Sequence, residues 1–227
     1  MLNNFSKERF AKMIDYTLLK PTTTKEDIIK LCKEAKKYGF AAVCVNPIYV
    51  SLASSLLKNS KIKTCTVIGF PLGANKTQTK VFEAERAVMD GAQEIDMVMN
   101  MGMFKAESYS FVREDIASVV KAVKPMGILV KVIIETCYLT HEEKIKACRI
   151  VEAAGADYVK TSTGLGGGAT VADVRLIRSV VGGRLGVKAS GGIRTLKRAL
   201  AMVKAGATRI GTSSGVKIME EFIRRNK

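Results

Sequence analysis

Four charged residues interrupt apolar, strand-like stretches of this sequence: Asp96, Lys131, Lys160 and Lys188. Burying such charges is costly unless they are paired, so their presence together indicates chemistry rather than packing. A lysine must be neutral to attack a carbonyl carbon, and both desolvation and a neighbouring ammonium favour the neutral amine. A nearby carboxylate can move the protons that imine formation requires. The pattern predicts Schiff-base chemistry, with Lys160 and Lys188 as two interacting amines and Asp96 as the carboxylate that moves protons.

Strand periodicity predicts that these four residues point to one side of a sheet, because alternate residues of a strand share a face. The expected faces are Asp96 with Val98 and Asn100, Lys131 with Ile133 and Glu135, Lys160 with Tyr158 and Ser162, and Lys188 with Gly186 and Ser190. The alternative is that each lysine points outward and lays its stem between helices. Charged positions at matching depths in consecutive strands favour a shared interior instead.

The elements that must position these residues form eight strand–helix units. The strands are predicted at 14–18, 41–45, 63–68, 94–99, 128–134, 156–160, 185–189 and 208–211. Helix ends are marked by turn and capping residues, such as Gly39 after a helix over 25–38, and Thr140 with Glu143 in a capping box. Strands that alternate with helices pair in parallel through right-handed crossovers, and eight such units close a barrel.

We therefore expect one (β/α)8 TIM barrel domain over residues 1–227, with a short extra helix at the N-terminus. A doubly wound open sheet is the alternative, but the sequence lacks the strand–GxGxxG–helix unit typical of a dinucleotide crevice in that fold. The hydrophobic fraction of 47% is ample for a core of this size.

The net charge of +16 raises the possibility of a nucleic-acid partner. The basic residues are spread over the helical segments, however, and no aromatic stacking platform or RNA-binding motif accompanies them, so we expect solvated helix faces and no nucleic-acid binding. Such a surface would also attract a phosphorylated substrate.

Five scattered cysteines and one histidine, His141, form neither a disulfide framework nor a zinc motif. We expect no metal, reduced thiols, and a solvent-facing His141 in the first turn of a helix. No stretch is long and apolar enough for a membrane span, and the first residues lack the apolar region of a signal peptide. The sequence thus predicts a cytoplasmic protein that does not bind membranes.

Glycine- and serine-rich segments follow three of the predicted strands, and these are TSTG at 161–164, ASGGI at 189–193 and GTSSG at 211–215. In barrels of this kind, the loops after strands seven and eight commonly hold phosphate through backbone N–H groups at helix N-termini. We expect a phosphate site there.

Seven segments, in order along nearly the whole chain, resemble the 2-deoxyribose-5-phosphate aldolases in their short bacterial and archaeal form. They are DYTLLK at 15–20, VCVNP at 43–47, VIGFPLG at 67–73, EIDMV at 94–98, KVIIET at 131–136, VKTSTG at 159–164 and VKASGGIR at 187–194. The resemblance implies that Lys160 is the Schiff-base nucleophile, Lys188 its activating partner and Asp96 the proton-transfer acid, at the three positions that the residue pattern also indicates. It implies reversible cleavage of 2-deoxy-D-ribose 5-phosphate to D-glyceraldehyde 3-phosphate and acetaldehyde in deoxynucleoside catabolism, without a cofactor.

The resemblance also maps the substrate contacts. Phosphate contacts are expected at Gly164, Gly191, Gly192, Ser213 and Ser214, and further substrate contacts at Thr17, Cys44, Lys131 and Thr163. A homodimer or homotetramer is the family expectation.

This sequence differs from some family members in two places. Leu165 stands where some carry a lysine, and the sequence ends RRNK where some carry a tyrosine-bearing tail. The final proton transfer is therefore expected from Asp96, Lys188 and water. The alternatives within enzymes are an isomerase or another Schiff-base aldolase on a phosphate-binding barrel.

Overall fold

A computed structural model describes residues 6–225 of the chain. Eight parallel strands form a closed barrel in the order β1 to β8, each paired with its sequence neighbours and β8 with β1. The expected (β/α)8 barrel is confirmed. The strands are β1 Ile14–Leu18, β2 Ala42–Val45, β3 Lys63–Ile68, β4 Glu94–Val98, β5 Leu129–Ile133, β6 Tyr158–Lys160, β7 Gly186–Ser190 and β8 Arg209–Thr212.

Helices connect the strands on the outside of the barrel. They are α1 Lys7–Ala11, α2 Lys25–Tyr38, α3 Val50–Leu57, α4 Thr77–Met89, α5 Met101–Lys105, α6 Tyr109–Val123, α7 His141–Ala153, α8 Val171–Val181, α9 Leu196–Ala205 and α10 Gly215–Arg225. The short helix α1 is the extra N-terminal element, and Phe10 stacks on Phe222 of α10 with ring centroids 4.8 Å apart. Residues 1–5 and 226–227 lie outside the described residues.

Local sequence signals set the helix ends as predicted. Thr24 and Thr140 each form a capping box, with Asp27 and Glu143 respectively, which satisfies backbone N–H groups in the first turn. Helix α2 ends at Gly39, whose φ of 73° lies in the left-handed region that glycine adopts without strain. These signals are local, which is why they can be found without knowledge of the fold.

The alternation along each strand separates two environments. In β4, Ile95 and Met97 pack outward into the large core between strands and helices, whereas Asp96 points into the barrel. In the same way Val130 and Val132 of β5 face the helices and Lys131 faces inward. The apolar part of the interior is a small cluster of Ala42, Cys44, Cys65 and Val67.

Candidate active site

Strand register brings the four predicted charged residues together inside the barrel. Asp96 pairs in register with Lys131, and Lys160 with Lys188. The Nζ atoms of Lys160 and Lys188 lie 2.7 Å and 2.6 Å from Oδ2 of Asp96, and that of Lys131 lies 2.9 Å from Oδ1. All four side chains are at most 3% exposed. The predicted inward cluster is therefore present, and the outward alternative for these lysines is wrong.

The cluster holds more charges than the sequence analysis assigned to it. Asp15 of β1 and Glu94 of β4 are also buried, and Arg209 of β8 donates to both carboxylates at 2.7 Å and 2.6 Å. Lys131 lies 2.7 Å from Glu94, and Lys188 lies 2.5 Å from Asp15. The sequence predicted one acid and three lysines inside the barrel, whereas the buried cluster contains three acids and four cations. Glu94 shares the face of Asp96 two positions earlier, so strand periodicity could have found it.

Two of the predicted inward positions lie elsewhere, because the strands end before them. Asn100 follows β4 and caps α5, its side chain accepting a hydrogen bond from the Met103 N–H. Glu135 follows β5 with a positive φ of 43°, and its side chain binds Thr163 instead of the lysine cluster. Alternation of faces holds only while the backbone is extended.

Mutual pairing sets the protonation of the carboxylates. Burial alone would raise the pKa of Asp96, but the ammonium groups of Lys131, Lys160 and Lys188 outweigh it and hold that pKa well below its usual range. Asp15 behaves in the same way: Lys188, Arg209 and Lys131 outweigh burial and lower its pKa. Burial lowers the pKa of Lys188, yet Asp15 and Asp96 reverse this and raise it above the ordinary lysine value. Lys188 is therefore a fixed positive charge next to Lys160.

A cavity of about 290 Å³ opens at the carboxyl ends of the strands, and Lys160 lies in its wall. Neither Lys131 nor Lys188 lines it, although they belong to the same cluster. Lys160 is thus the one lysine of this buried cluster that faces the cavity. The chemistry this allows is attack of its amine on a carbonyl bound in the cavity, with Asp96 beneath it for proton transfer.

The predicted substrate contacts divide into two groups. Those that line the cavity are Thr17, Thr163, Gly164, Gly191, Gly192 and Ser213. Ser214 follows Ser213 and is half-buried outside the lining. Cys44 and Lys131 are fully buried and also lie outside it. Sequence analysis did not single out Lys20 and Arg194, two exposed cations in the cavity wall.

Two thiols form one wall of the buried cluster. Cys44 and Cys65 are register partners on β2 and β3, and Cys65 donates to Asp96 at 3.3 Å. The sulfur atoms and a carboxylate oxygen of Asp96 lie within 4.8 Å of one another, a spacing that could hold a metal ion. Such an ion would compete for Asp96 with three lysine ammonium groups, so this donor set fits a metal poorly. His141, as expected, is exposed at the start of α7.

A closed (β/α)8 barrel with a cavity-facing lysine over a carboxylate, and glycine loops at the same mouth, defines the class of the phosphate-binding, lysine-dependent aldolases. The chain matches the family model described as "DeoC/LacD family aldolase" over residues 9–221. It belongs to this family.

Individual relatives agree with this assignment. A deoxyribose-phosphate aldolase of Thermoanaerobacter sp. (strain X514) is 64% identical over 214 residues, covering 93% of this chain and 96% of the relative. One from Thermococcus kodakarensis is 63% identical over 218 residues, covering 95% and 97%. Among solved structures, the tetrameric deoxyribose phosphate aldolase of Aeropyrum pernix aligns with a TM-score of 0.92 at 38% identity, covering 98% of this chain and 94% of that one.

Within residues 6–225, no helix is long and apolar enough to cross a membrane.

Proposed function

We propose that this protein is a class I aldolase that reversibly cleaves 2-deoxy-D-ribose 5-phosphate to D-glyceraldehyde 3-phosphate and acetaldehyde. The observation that carries the proposal is that one clustered lysine, Lys160, lines a cavity that the glycine-rich loops also line. Relatives with more than 60% identity bear the name of that activity. The breakdown of deoxyribonucleosides is the setting in which such a substrate arises.

In the proposed reaction, the neutral amine of Lys160 adds to the aldehyde carbon C1 of the open-chain sugar, and loss of water gives an imine. Removal of the C3 hydroxyl proton then breaks the C2–C3 bond. The bonding electrons form the C1=C2 double bond of an enamine, the C=N π electrons move to the nitrogen of Lys160, and glyceraldehyde 3-phosphate leaves. Protonation of C2 and hydrolysis of the imine release acetaldehyde and regenerate Lys160. The imine is the electron sink, so this sequence of steps needs no metal or organic cofactor.

Asp96 and Lys188 are proposed to move and balance these protons. Asp96 accepts from Lys160 at 2.7 Å, so it can take the proton that the nucleophile must lose. The fixed ammonium of Lys188 accepts no proton and places a positive charge beside the amine that must lose one. The low pKa of Asp96 makes it a weak base in the resting cluster. Conversion of Lys160 to a neutral amine would remove one of the three cationic partners of Asp96 and make the Asp96 carboxylate a stronger base.

The phosphate is proposed to lie at the cavity mouth against backbone N–H groups of Gly164, Gly191 and Gly192 and the side chain of Ser213. These residues share the cavity wall with Lys160. Positive φ angles of 93°, 88° and 71° at the three glycines suit them to expose backbone to an anion. Thr17 and Thr163 would bind the sugar between the two ends, and Cys44, Lys131 and Ser214 would act from beyond the cavity wall.

The decisive test is borohydride reduction of the enzyme with acetaldehyde, followed by peptide mass mapping. We expect the two-carbon label on Lys160. Label on Lys188 or Lys131 would overturn the assignment of the nucleophile. Product analysis with 2-deoxy-D-ribose 5-phosphate tests the substrate, because an isomerase would return a single phosphorylated sugar instead of two fragments. Both assays should be unchanged in EDTA if no metal takes part.

We also propose that the chain forms a homodimer or homotetramer in the cytoplasm. Large apolar side chains are exposed on the monomer, with Ile48 at 83%, Leu72 at 73% and Phe82 at 65%. The Aeropyrum pernix relative is described as tetrameric. The free thiols of Cys44 and Cys65 suit a reducing compartment. Light scattering on a size-exclusion column would give the mass of the assembly, and cell fractionation its location.

A further inference from the structure

Glu135 is a buried carboxylate in an unfavourable backbone conformation, and the proposed reaction does not use it. Its side chain is 4% exposed, and its φ of 43° lies in the left-handed region, which costs energy for any residue other than glycine. The backbone on both sides is fixed to the strand of the nucleophile. The Ile134 N–H donates to the carbonyl of Lys160 at 3.0 Å, and the Thr136 N–H donates to the carbonyl of Thr161 at 2.9 Å.

The side chain of Glu135 binds the loop between β6 and α8. Its Oε2 accepts from the backbone N–H of Thr163 at 3.1 Å and from the Thr163 hydroxyl. The Thr163 hydroxyl oxygen in turn accepts a hydrogen bond from the backbone N–H of Leu165 at 3.1 Å. Among the ion pairs found within residues 6–225, none involves Glu135. Its other oxygen, Oε1, accepts from the Cys137 thiol at 3.8 Å. The carboxylate therefore satisfies its hydrogen bonding with this thiol and, through Oε2, with the loop.

The loop so held is one wall of the cavity. Thr163, Gly164 and Leu165 line it next to Gly191 and Gly192. The two loops are in contact: a Cβ placed on Gly191 would lie 2.8 Å from the carbonyl oxygen of Gly167 and 3.2 Å from Gly164 Cα. The far end of the loop is also tied down, since the Ala169 N–H donates to the carbonyls of Ser190 and Gly191 at 3.0 Å and 3.2 Å.

We propose that Glu135 is a positioning residue that fixes the β6–α8 loop as one wall of the phosphate site and ties it to the strand end that carries Lys160. This inference rests on the proposed function. It assigns Glu135 to recognition of the phosphate, a step distinct from imine formation. Removal of its carboxylate should release Thr163 and Leu165 at the mouth while Lys160 keeps its contact with Asp96.

The test compares Glu135→Ala and Glu135→Gln on 2-deoxyribose 5-phosphate and on unphosphorylated 2-deoxyribose. For Glu135→Ala we expect KM for the phosphorylated sugar to rise about tenfold or more, from loss of two hydrogen bonds to a charged acceptor. With unphosphorylated 2-deoxyribose, kcat/KM should stay within about threefold of the unchanged enzyme. Inhibition of that second reaction by inorganic phosphate should weaken in parallel. Glu135→Gln retains an acceptor oxygen and should be much less affected on all three measurements.

Thr163 supplies a second route to the same answer, should Glu135→Ala fail to fold. Because Thr163 is also proposed to bind the sugar, only the inhibition by inorganic phosphate is compared for its variants: Thr163→Val should weaken that inhibition as Glu135→Ala does, whereas Thr163→Ser should restore it. Glu142→Ala, which removes an exposed carboxylate from the first turn of α7, is the matched control and should leave the constants unchanged.

Equal losses on both sugars, unchanged constants, or a Gln variant as impaired as the Ala variant would overturn the positioning role. If the unchanged enzyme did not cleave 2-deoxyribose 5-phosphate, the proposed function itself would fail, whatever these variants showed.

Discussion

The floor and the mouth of this barrel contrast in how they handle charge. The floor is the buried cluster of Asp15, Glu94, Asp96, Lys131, Lys160, Lys188 and Arg209, in which every cation contacts a carboxylate. The mouth is the cavity, where glycine loops present backbone and the cations Lys20 and Arg194 are exposed. Buried side chains held in ion pairs keep the reacting groups of the floor in fixed geometry, whereas the open mouth can admit and release an anion. The contrast predicts that floor substitutions harm every substrate and mouth substitutions only phosphorylated ones.

The largest loss of activity among the floor substitutions is expected at Lys160. Lys160→Met keeps the length of the side chain and removes the amine, so we expect cleavage of phosphorylated and unphosphorylated sugars to fall by roughly a thousandfold or more. Steady-state kinetics on both sugars would measure it. Lys204→Met, on the exposed face of α9, is the control and should have no effect. Residual activity near the normal level would place the nucleophile elsewhere.

A smaller loss, with a change in pH dependence, is expected from Lys188→Met. The raised pKa of Lys188 keeps it cationic across the working range, so its removal deletes a fixed positive charge 2.6 Å from the oxygen that Lys160 also contacts. Without that charge, protonation within the cluster is opposed less strongly, and the acidic limb of the pH–rate profile should move to higher pH. Activity at pH 7 should fall about a hundredfold on both sugars. An unshifted profile would remove the electrostatic role of Lys188.

The same pairing predicts how the fold responds to acid. Because the folded-state pKa of Asp15 is depressed, its charge stabilises the fold above the unfolded pKa of about 4, and that contribution is lost as pH falls from there toward the lower folded value. Asp15→Asn should lower the Tm at pH 7 by several degrees and flatten the fall of Tm below pH 4. Calorimetry from pH 7 to pH 2 would measure both. Asp90→Asn, at a half-exposed helix end, is the control. If the Tm of the Asp15 variant fell with decreasing pH as steeply as that of the unchanged protein, the stabilising role of the Asp15 charge would be contradicted.

The floor was largely predictable from the sequence because strand alternation is a rigid rule. It placed Asp96, Lys131, Lys160 and Lys188 on inward faces before any fold was known. Arg209 and Asp15 escaped because they lie on strands β8 and β1, which meet only when the barrel closes. Their partnership spans 194 positions in the sequence, beyond the reach of any local pattern.

The mouth was less predictable, because its geometry comes from loops instead of strands. Glycine runs indicated a phosphate site, and Gly164, Gly191 and Gly192 do share one cavity wall. Ser214 was expected to line the cavity too, but only its neighbour Ser213 does so. Lys20 lies after β1, at the end of the DYTLLK segment, but no role was predicted for it, and only the closed barrel reveals that it lines the same cavity as the loops after β6 and β7.

At the mouth, Gly192 separates the effect of backbone conformation from that of charge. An added Cβ at Gly192 would meet only the Arg198 guanidinium, at 3.8 Å, so the site has room, but its φ of 71° disfavours any side chain. Gly192→Ala measures that strain, and Gly192→Asp adds a negative charge. We expect the Asp variant to lose about tenfold more kcat/KM than the Ala variant on the phosphorylated sugar, with no such gap on 2-deoxyribose. The same gap on both sugars would show that the loop acts through barrel geometry.

The smallest effect is expected from Lys20→Met, and it sharpens the comparison most, because Lys20 is an exposed cation without chemistry of its own. A solvated charge at the cavity mouth attracts an anion only modestly, so KM for the phosphorylated sugar should rise roughly threefold to tenfold. Unlike the losses at the floor, this one should shrink as salt is raised from 0.05 M to 0.5 M, because the screening length falls from more than about 10 Å to about 4 Å. Lys121→Met, on α6 away from the cavity, provides the matched control for a change of net charge alone. If Lys20→Met lowered kcat on 2-deoxyribose as well, Lys20 would belong with the reacting groups, and the division between a catalytic floor and a selective mouth would not hold.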